Sequence, residues 1–130
     1  MPRAPENERD VKAQVKKLLD KHKWFWWMPP ANGFGKTGIA DFNAIRGGVF
    51  LAIETKFGSN KPTVLQVAYL NSVRQEDGFG FVVCEKRLEW LSGWLAAFDN
   101  AVASQISKQD PKPEDGAMML NAIREMTREL

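Results

Sequence analysis

The sequence contains very few of the side chains that most metal and disulfide sites use. Among its 130 residues there is one cysteine, Cys84, and one histidine, His22. A lone cysteine excludes a disulfide within the chain and a cysteine zinc cluster, and a single histidine beside it suits a zinc enzyme poorly. No apolar run approaches the length of a membrane span, and the polar, proline-containing start is unlike a signal peptide. These absences predict a cytoplasmic protein with no membrane partner.

Net charge is small but unevenly distributed along the chain. The total is +2, yet residues 1–61 hold 11 Lys and Arg against 6 Asp and Glu, while residues 62–130 hold 7 against 10. A cationic first half suits a polyanionic partner such as DNA. Solvated surface lysines explain the same asymmetry almost equally well. The length and the hydrophobic content of 44% are those of one globular domain with a substantial core.

A predicted β-hairpin holds the residues with the clearest chemistry. Two β-compatible runs, Ile39–Ile45 and Val49–Phe57, flank the turn dipeptide Gly47-Gly48. A two-residue loop fixes the register of the two strands, and in that register Asp41 lies directly opposite Glu54. Side chains alternate between the faces of a strand, so both carboxylates share one face of the hairpin.

Opposed carboxylates in a hairpin need a compensating charge. Like charges at paired positions repel, and a divalent cation between Asp41 and Glu54 would remove the repulsion. Lys56 lies two residues after Glu54 on the same face, where it can orient an attacking water or offset charge on a phosphate. The alternative is an exposed sheet face that carries a solvated aspartate and a Glu/Lys pair.

The first predicted element is a helix from Pro5 to about His22, with Pro5 in its first turn. Its apolar residues follow helical spacing at Val11, Val15, Leu18 and Leu19. Glu8 extends this stripe at its N-terminal end, which would place a carboxylate on the buried face. Alternatively, Glu8 is a glutamate that the helix dipole favours in a first turn. Glu6 takes its place if the register is shifted.

Lysines occupy much of the remaining surface of this helix and its exit: Lys12, Lys16, Lys17, Lys21 and Lys23. A charge run of this kind is usually a solvated face, but lysines beside a phosphate-handling site also provide salt-dependent contacts to a nucleic-acid backbone. We predict Lys12, Lys16 and, after the hairpin, Lys61 as DNA contacts.

Aromatic residues and a broken loop follow the first helix. Trp24–Trp27 predicts a short strand with both faces covered. The loop Met28–Thr37 is too rich in proline and glycine for regular structure. Within it, Asn32 and Lys36 are predicted to reach DNA, and Phe34 is the predicted stacking or wedge residue.

The same loop offers a nucleotide-binding alternative. Gly35-Lys36-Thr37 matches the end of a phosphate-binding P-loop. That motif needs a glycine where this chain has Pro30, and a helix where Gly38 and a strand-like run follow. Both departures disfavour it.

The remaining predicted elements follow in chain order: a helix from Pro62 or Thr63 to about Asp77 closed by Gly78, a strand Phe79–Cys84, a helix Arg87–Asn100, a linker 101–116 and a final helix Ala117–Leu130. The predicted inward stripes are Leu65, Ala68, Tyr69, Ser72 and Val73 in the second helix, Leu88, Leu91, Trp94, Leu95 and Phe98 in the third, and Met119, Ile123, Met126 and Leu130 in the last.

These residues resemble the PD-(D/E)XK nuclease superfamily, and within it the small stand-alone VRR-NUC proteins of phages and bacteria. That group has Gly-x-x-Asp, a turn, an apolar strand ending in Glu-x-Lys, and a helix with an early Gln. Gly38–Asp41, Ile53–Lys56 and Gln66 match it in order and approximate spacing. The resemblance covers roughly residues 5–95.

The resemblance implies an α/β fold with an α-β-β-β-α-β restriction-endonuclease-like core, a mixed central sheet flanked by helices, and two C-terminal helices. Residues 1–100 would be the nuclease domain. Glu8, Asp41 and Glu54, with the Thr55 main-chain carbonyl, would bind Mg²⁺ or Mn²⁺. Lys56 would be catalytic, and Gln66 would bind a phosphate or orient a water.

The implied function is metal-dependent hydrolysis of DNA phosphodiester bonds by an endonuclease, in a bacterium or a phage-infected host. Relatives of this kind include homodimers that resolve branched or four-way junction DNA, so we expect a homodimer and such a substrate. From a different class, the chain could be a DNA-binding or assembly module that kept the fold and lost turnover.

Overall fold

The chain has a mixed α/β fold. A computed structural model describes residues 3–30, 38–106 and 113–129, with side chains for 3–30, 38–102 and 120–128. Four α-helices and four strands occur within these ranges: α1 Glu8–Lys21, β1 Phe25–Trp27, β2 Phe42–Arg46, β3 Val49–Thr55, α2 Val64–Gln75, β4 Phe79–Val83, α3 Leu88–Ile106 and α4 Pro113–Glu129. A short 3₁₀ helix, Glu85–Arg87, precedes α3.

The first helix begins later than its proline suggests. Asn7 is the N-cap, and its side-chain oxygen accepts a hydrogen bond from the Asp10 N–H. An asparagine N-cap satisfies one of the free backbone N–H groups in the first turn of a helix. The helix therefore begins at Glu8, and the predicted start at Pro5 was wrong. The predicted stripe is confirmed at Val11, Val15 and Leu19, which are fully buried.

The sheet is mixed, with strand order β1-β2-β3-β4. The first three strands form an antiparallel meander, and β4 pairs with β3 in parallel after the α2 crossover. The strands of the hairpin are shorter than predicted, since β2 begins at Phe42 rather than Ile39 and β3 ends at Thr55 rather than Phe57. Lys56 still donates its N–H to the Val83 carbonyl.

The aromatic strand is an edge strand, which corrects the prediction that both its faces are covered. Phe25 is 67% exposed and Trp27 is 42% exposed, while Trp24 before the strand is buried. The two exposed rings lie edge to face, 5.9 Å apart between centroids. Within the described residues β1 has a neighbouring strand on one side only, and α2 packs mainly on β3 and β4.

The second helix buries a different face from the predicted one. Leu70 is its buried residue, with Tyr69 and Val73 partly buried beside Ala52, whereas Leu65 is exposed. Ala68 and Ser72, also assigned to the inward stripe, are exposed as well. The physical reason is close packing of Leu70 on Gly80, where an added Cβ would lie 3.1 Å from the Leu70 carbonyl.

The end of α2 also differs from the prediction. The left-handed residue is Asp77, with φ of 67°, and Gly78 comes one position later. The Gly78 N–H donates to the Val73 carbonyl and the Asp77 N–H to the Arg74 carbonyl. Those two bonds form a Schellman motif, in which the position before Gly78 needs the left-handed conformation.

The chain divides into two compact units, Met1–Leu88 and Glu89–Leu130. In the second unit the predicted α3 stripe is confirmed, since Leu91, Trp94, Leu95 and Phe98 are fully buried. The Trp94 indole N–H donates to the Thr127 hydroxyl on α4 at 2.9 Å, and Ile123 is buried there. The side chains of Met119 and Leu130 lie outside the described residues.

The helices of the second unit are longer than predicted. Helix α3 continues to Ile106 instead of ending at Asn100, and α4 begins at Pro113 instead of Ala117, so the predicted linker 101–116 is helical at both ends. Proline is compatible with a first helical turn, where its missing N–H has no intrahelical partner. None of the described helices has the length and apolar character that a membrane crossing requires.

Candidate functional site

The hairpin register brings the two predicted carboxylates together. Arg46 pairs with Val49 and Phe42 with Ile53, as predicted from the two-residue turn. Gly47 and Gly48 have φ of 57° and 80°, the positive values that a type I′ hairpin turn requires at both positions. Asp41 therefore stands one position before the first pair, next to Glu54.

Asp41 is held in place by Thr55. One carboxylate oxygen, Oδ2, accepts hydrogen bonds from the Thr55 N–H at 2.9 Å and from the Thr55 hydroxyl at 2.6 Å. The role of the Thr55 main-chain carbonyl as a metal ligand stays a prediction, and the sequence did not indicate the contact between the Thr55 side chain and Asp41.

A second buried network supports the chain before β2. The Asn43 amide is buried; it donates to the Ala40 carbonyl and accepts a hydrogen bond from the Tyr69 hydroxyl at 2.7 Å. This links α2 to the backbone next to Asp41. No sequence motif indicated this network, because Asn43 and Tyr69 are isolated polar residues that belong to no recognisable spacing pattern.

Glu54 is the most buried ionisable group of the site, with 2% of its side chain exposed. Its Oε1 accepts a hydrogen bond from Gln66 Nε2 at 2.9 Å and lies 3.6 Å from Lys56 Nζ. Its Oε2 is buried and has no hydrogen-bond donor within the described residues. A buried carboxylate oxygen without a donor is unfavourable unless a proton or a cation satisfies it.

The surroundings of Glu54 favour its protonated form. Burial, and after it the neighbouring charge of Asp41, raise the pKa of Glu54 from 4.5 to about 7, against a smaller lowering by the Lys56 charge. Without a bound metal ion, the Glu54 carboxyl therefore keeps its proton to a higher pH than an exposed glutamate does. A bound divalent cation would reverse this preference.

The raised pKa predicts how pH affects the metal-free protein. Because the folded-state pKa lies above the unfolded value, the contribution of Glu54 to the free energy of unfolding is fully present below about pH 4.5 and is lost as the pH rises through about 7. In EDTA, wild type should lose on the order of 1–3 kcal/mol between about pH 5 and 8 relative to Glu54→Gln. Urea denaturation at several pH values measures the difference. The exposed Glu76→Gln is the matched control, and an unchanged slope in Glu54→Gln would contradict the assignment.

Gln66 has two roles that its position in the first turn of α2 makes possible. Its amide oxygen accepts from the Thr63 N–H at 2.8 Å, and its own N–H donates to the Thr63 hydroxyl, which completes a capping box. Its amide nitrogen is then directed at Glu54. The Thr-x-x-Gln spacing could have revealed Thr63, which sequence reasoning did not weigh as a cap.

Gly38 allows the segment that carries Asp41 to pass close to α2. Its φ is 99°, and a Cβ at this position would lie 2.8 Å from the Leu65 backbone. Both the conformation and the contact exclude a larger residue. This is the physical reason for glycine in the Gly-x-x-Asp pattern.

Substitution of Gly38 should therefore destabilise the fold far more than substitution of another glycine that also has a positive φ but has free space where a Cβ would be added. We expect Gly38→Ala to lower the free energy of unfolding by more than the 1–3 kcal/mol typical of backbone strain alone. Gly58→Ala is the matched control, since its φ is 64° and a Cβ would meet nothing within 4 Å. Equal chemical denaturation midpoints for the two variants would contradict the close approach.

Lys12, predicted as a DNA contact, lies inside the site. Its Nζ is 3.4 Å from Glu8 Oε2 and 3.7 Å from Asp41 Oδ1, so the lysine stands between the two carboxylates. Glu8 on α1 is thus linked to Asp41 by the Lys12 ammonium group, which contacts both carboxylates. Glu6, the alternative, is exposed and contacts Arg3.

No contact within the described residues brings the other predicted site residues into this cluster. Lys16 and Lys61 are exposed. Asn32, Phe34 and Lys36 lie outside the described residues, as do the residues of the P-loop alternative, and their roles stay predictions. Within the described part of the chain, no three His, Cys, Asp or Glu side chains are grouped closely enough to hold one metal ion.

Comparisons with known proteins do not assign the chain to a family. No family model matches the sequence, and a search of curated proteins gave no match.

Proposed function

We propose that this chain is a Mg²⁺- or Mn²⁺-dependent DNA endonuclease with a PD-(D/E)XK core of the VRR-NUC type. The observation that carries the proposal is the state of Glu54. This carboxylate is buried against Asp41, one of its oxygens lacks a donor, and a lysine lies beside the other. Such an arrangement adds no stability of its own, and a divalent cation would satisfy the oxygen that lacks a donor.

The available donor atoms suit a hard divalent cation. Asp41 Oδ1, Glu54 Oε2 and the Thr55 carbonyl are oxygens, the ligand atoms that Mg²⁺ prefers. Two carboxylates are also the usual protein contribution to a Mg²⁺ site, where water and substrate phosphate provide the other ligands. When bound, the metal would polarise the scissile phosphate and lower the pKa of a water. Glu8 would join from α1.

Lys56 is positioned to act on the reacting phosphate. Its side chain is 14% exposed and its ammonium is 3.6 Å from Glu54 Oε1, so the carboxylate holds the charge at the site. There it can orient a water and stabilise the negative charge that develops on a phosphate oxygen. Gln66 keeps Glu54 in the required orientation through the hydrogen bond to Oε1.

DNA is the proposed substrate because the site lies in the cationic half of the chain. Lys16 and Lys61 present exposed charges there that can contact phosphates. By the resemblance, we propose branched or four-way junction DNA and a homodimer with two sites related by symmetry. Light scattering at micromolar concentration tests the dimer, and a 14.7 kDa species alone, with and without junction DNA, would contradict it.

A nicking assay tests the activity directly. Supercoiled plasmid, linear duplex, flap, four-way junction and single-stranded DNA should be incubated with the protein in Mg²⁺, Mn²⁺ or EDTA. We expect cleavage that depends on the metal and is strongest on a branched substrate. Binding to these DNAs without cleavage in either metal would instead favour the DNA-binding module that lost turnover.

A further inference from the structure

The ammonium of Lys12 occupies the space between two carboxylates of the proposed metal site. It lies one helical turn after Glu8 on α1, with Nζ 3.4 Å from Glu8 Oε2 and 3.7 Å from Asp41 Oδ1. About 31% of the Lys12 side chain is exposed, and Asp41 is more buried at 21%. The contact with Asp41 therefore joins α1 to the hairpin at the mouth of the site.

Two of the four carboxylate oxygens of Asp41 and Glu54 already have partners other than Lys12. Asp41 Oδ2 is held by Thr55, and Glu54 Oε1 is held by Gln66 and Lys56. That leaves Asp41 Oδ1 and the donor-free Glu54 Oε2 as the oxygens open to a further cation. Of these two, Asp41 Oδ1 is the one that Lys12 contacts.

We propose that Lys12 is an internal counter-cation that competes with the divalent metal for Asp41 and Glu8. The inference rests on the proposed function, since it requires a metal at these carboxylates. An ammonium and a divalent ion cannot both contact Asp41 Oδ1 without strong repulsion. The four-carbon stem of lysine lets the ammonium withdraw while the helix stays in place.

The exchange would couple metal binding to DNA binding. In the metal-free protein, Lys12 offsets the repulsion between neighbouring carboxylates and lowers their affinity for a divalent ion. A DNA phosphate near the site offers the displaced ammonium a new partner. Metal affinity should then rise when DNA is present, and less so when residue 12 carries no charge.

The test is a Mn²⁺ titration of the full chain without DNA, with free Mn²⁺ followed by its electron paramagnetic resonance signal. Lys12→Met should bind Mn²⁺ about five- to tenfold more tightly than wild type, because a competing charge is gone. Lys12→Arg keeps the charge and should stay within about twofold of wild type. Lys16→Met, an exposed lysine on the same helix, is the control for net charge and should also stay within about twofold.

The outcomes separate this inference from the proposed function. If wild type binds Mn²⁺, Asp41→Asn does not, and Lys12→Met binds equally or more weakly than wild type, the competition is overturned while the metal site stands. If Lys16→Met gains as much affinity as Lys12→Met, the effect is general charge and the inference also falls. If no variant binds Mn²⁺, both proposals fall. If Lys12→Arg gains as much affinity as Lys12→Met although it keeps the charge, the competition is likewise overturned.

Discussion

Glu54→Gln is expected to reduce Mg²⁺-dependent DNA cleavage by at least about 10³-fold. The substitution keeps the shape of the side chain and its acceptor for Gln66, but it removes the buried negative charge that would bind the metal. Loss of the metal removes both phosphate polarisation and water activation, which together exceed the 10²–10³-fold effect of a single electrostatic contact. Lys56→Met should cost about 10²–10³-fold by loss of that one contact.

DNA binding by these variants should change much less than cleavage. Most of the affinity in such complexes comes from contacts to phosphates, and exposed lysines outside the cluster remain in both variants. Glu6→Gln is the matched control, because Glu6 is an exposed glutamate at the edge of α1 that contacts Arg3. Single-turnover cleavage and fluorescence anisotropy measure the two effects. Cleavage at the wild-type rate by folded Glu54→Gln would remove the site assignment.

Mg²⁺ should stabilise wild type and leave Asp41→Asn nearly unaffected. A ligand that binds only the folded state adds RT ln(1 + [L]/Kd), or about 2.7 kcal/mol at a hundred times Kd. For a chain of this size, that stabilisation corresponds to a rise in melting temperature of about 10 °C. The variant keeps an oxygen for the Thr55 N–H and hydroxyl but loses the charge that the metal requires.

Without metal the two proteins should be similar in stability. Asp41→Asn relieves a carboxylate repulsion worth about 0.2–1 kcal/mol and gives up a partly exposed contact with Lys12 of comparable size. Thermal melts in EDTA measure the stability of each protein without metal, and melts at increasing Mg²⁺ concentration measure the stabilisation by the metal. An equal Mg²⁺ shift in both proteins would mean that Asp41 serves only the Thr55 hydrogen bonds.

The features that sequence predicted correctly are those set by near neighbours. Gly47-Gly48 determines the turn type, the turn determines the register, and the register places Asp41 beside Glu54. The same applies to Gln66, whose place in the first turn follows from the start of α2. Local chemistry decides each of these features, so a single sequence contains the necessary information.

The features that sequence missed depend on which elements meet. Trp27 is a large apolar residue of the kind that is usually buried. Only the order of the strands shows that it lies on an edge strand, where it is exposed. Leu65 and Leu70 are chemically equal candidates for the inward face of α2, and the fit of Leu70 onto Gly80 decides between them. Lys12 is a surface lysine by pattern, and only the approach of α1 to the hairpin brings it to Asp41.

The spacing of the site along the chain also sets the entropy of assembling it. Glu54 and Gln66 are 12 positions apart and Thr55 and Asp41 are 14 apart, whereas Lys12 and Asp41 are separated by 29 residues. Loop-closure entropy grows with the logarithm of loop length, so the Lys12 contact costs about 0.8 kcal/mol more to close than the Gln66 contact. Hairpin and α2 thus form one contiguous segment with local contacts, which are the ones that favour fast folding. The contacts that hold Asp41 lie within this segment, whereas the contact of Asp41 with Lys12 needs α1, which is far from it in the sequence.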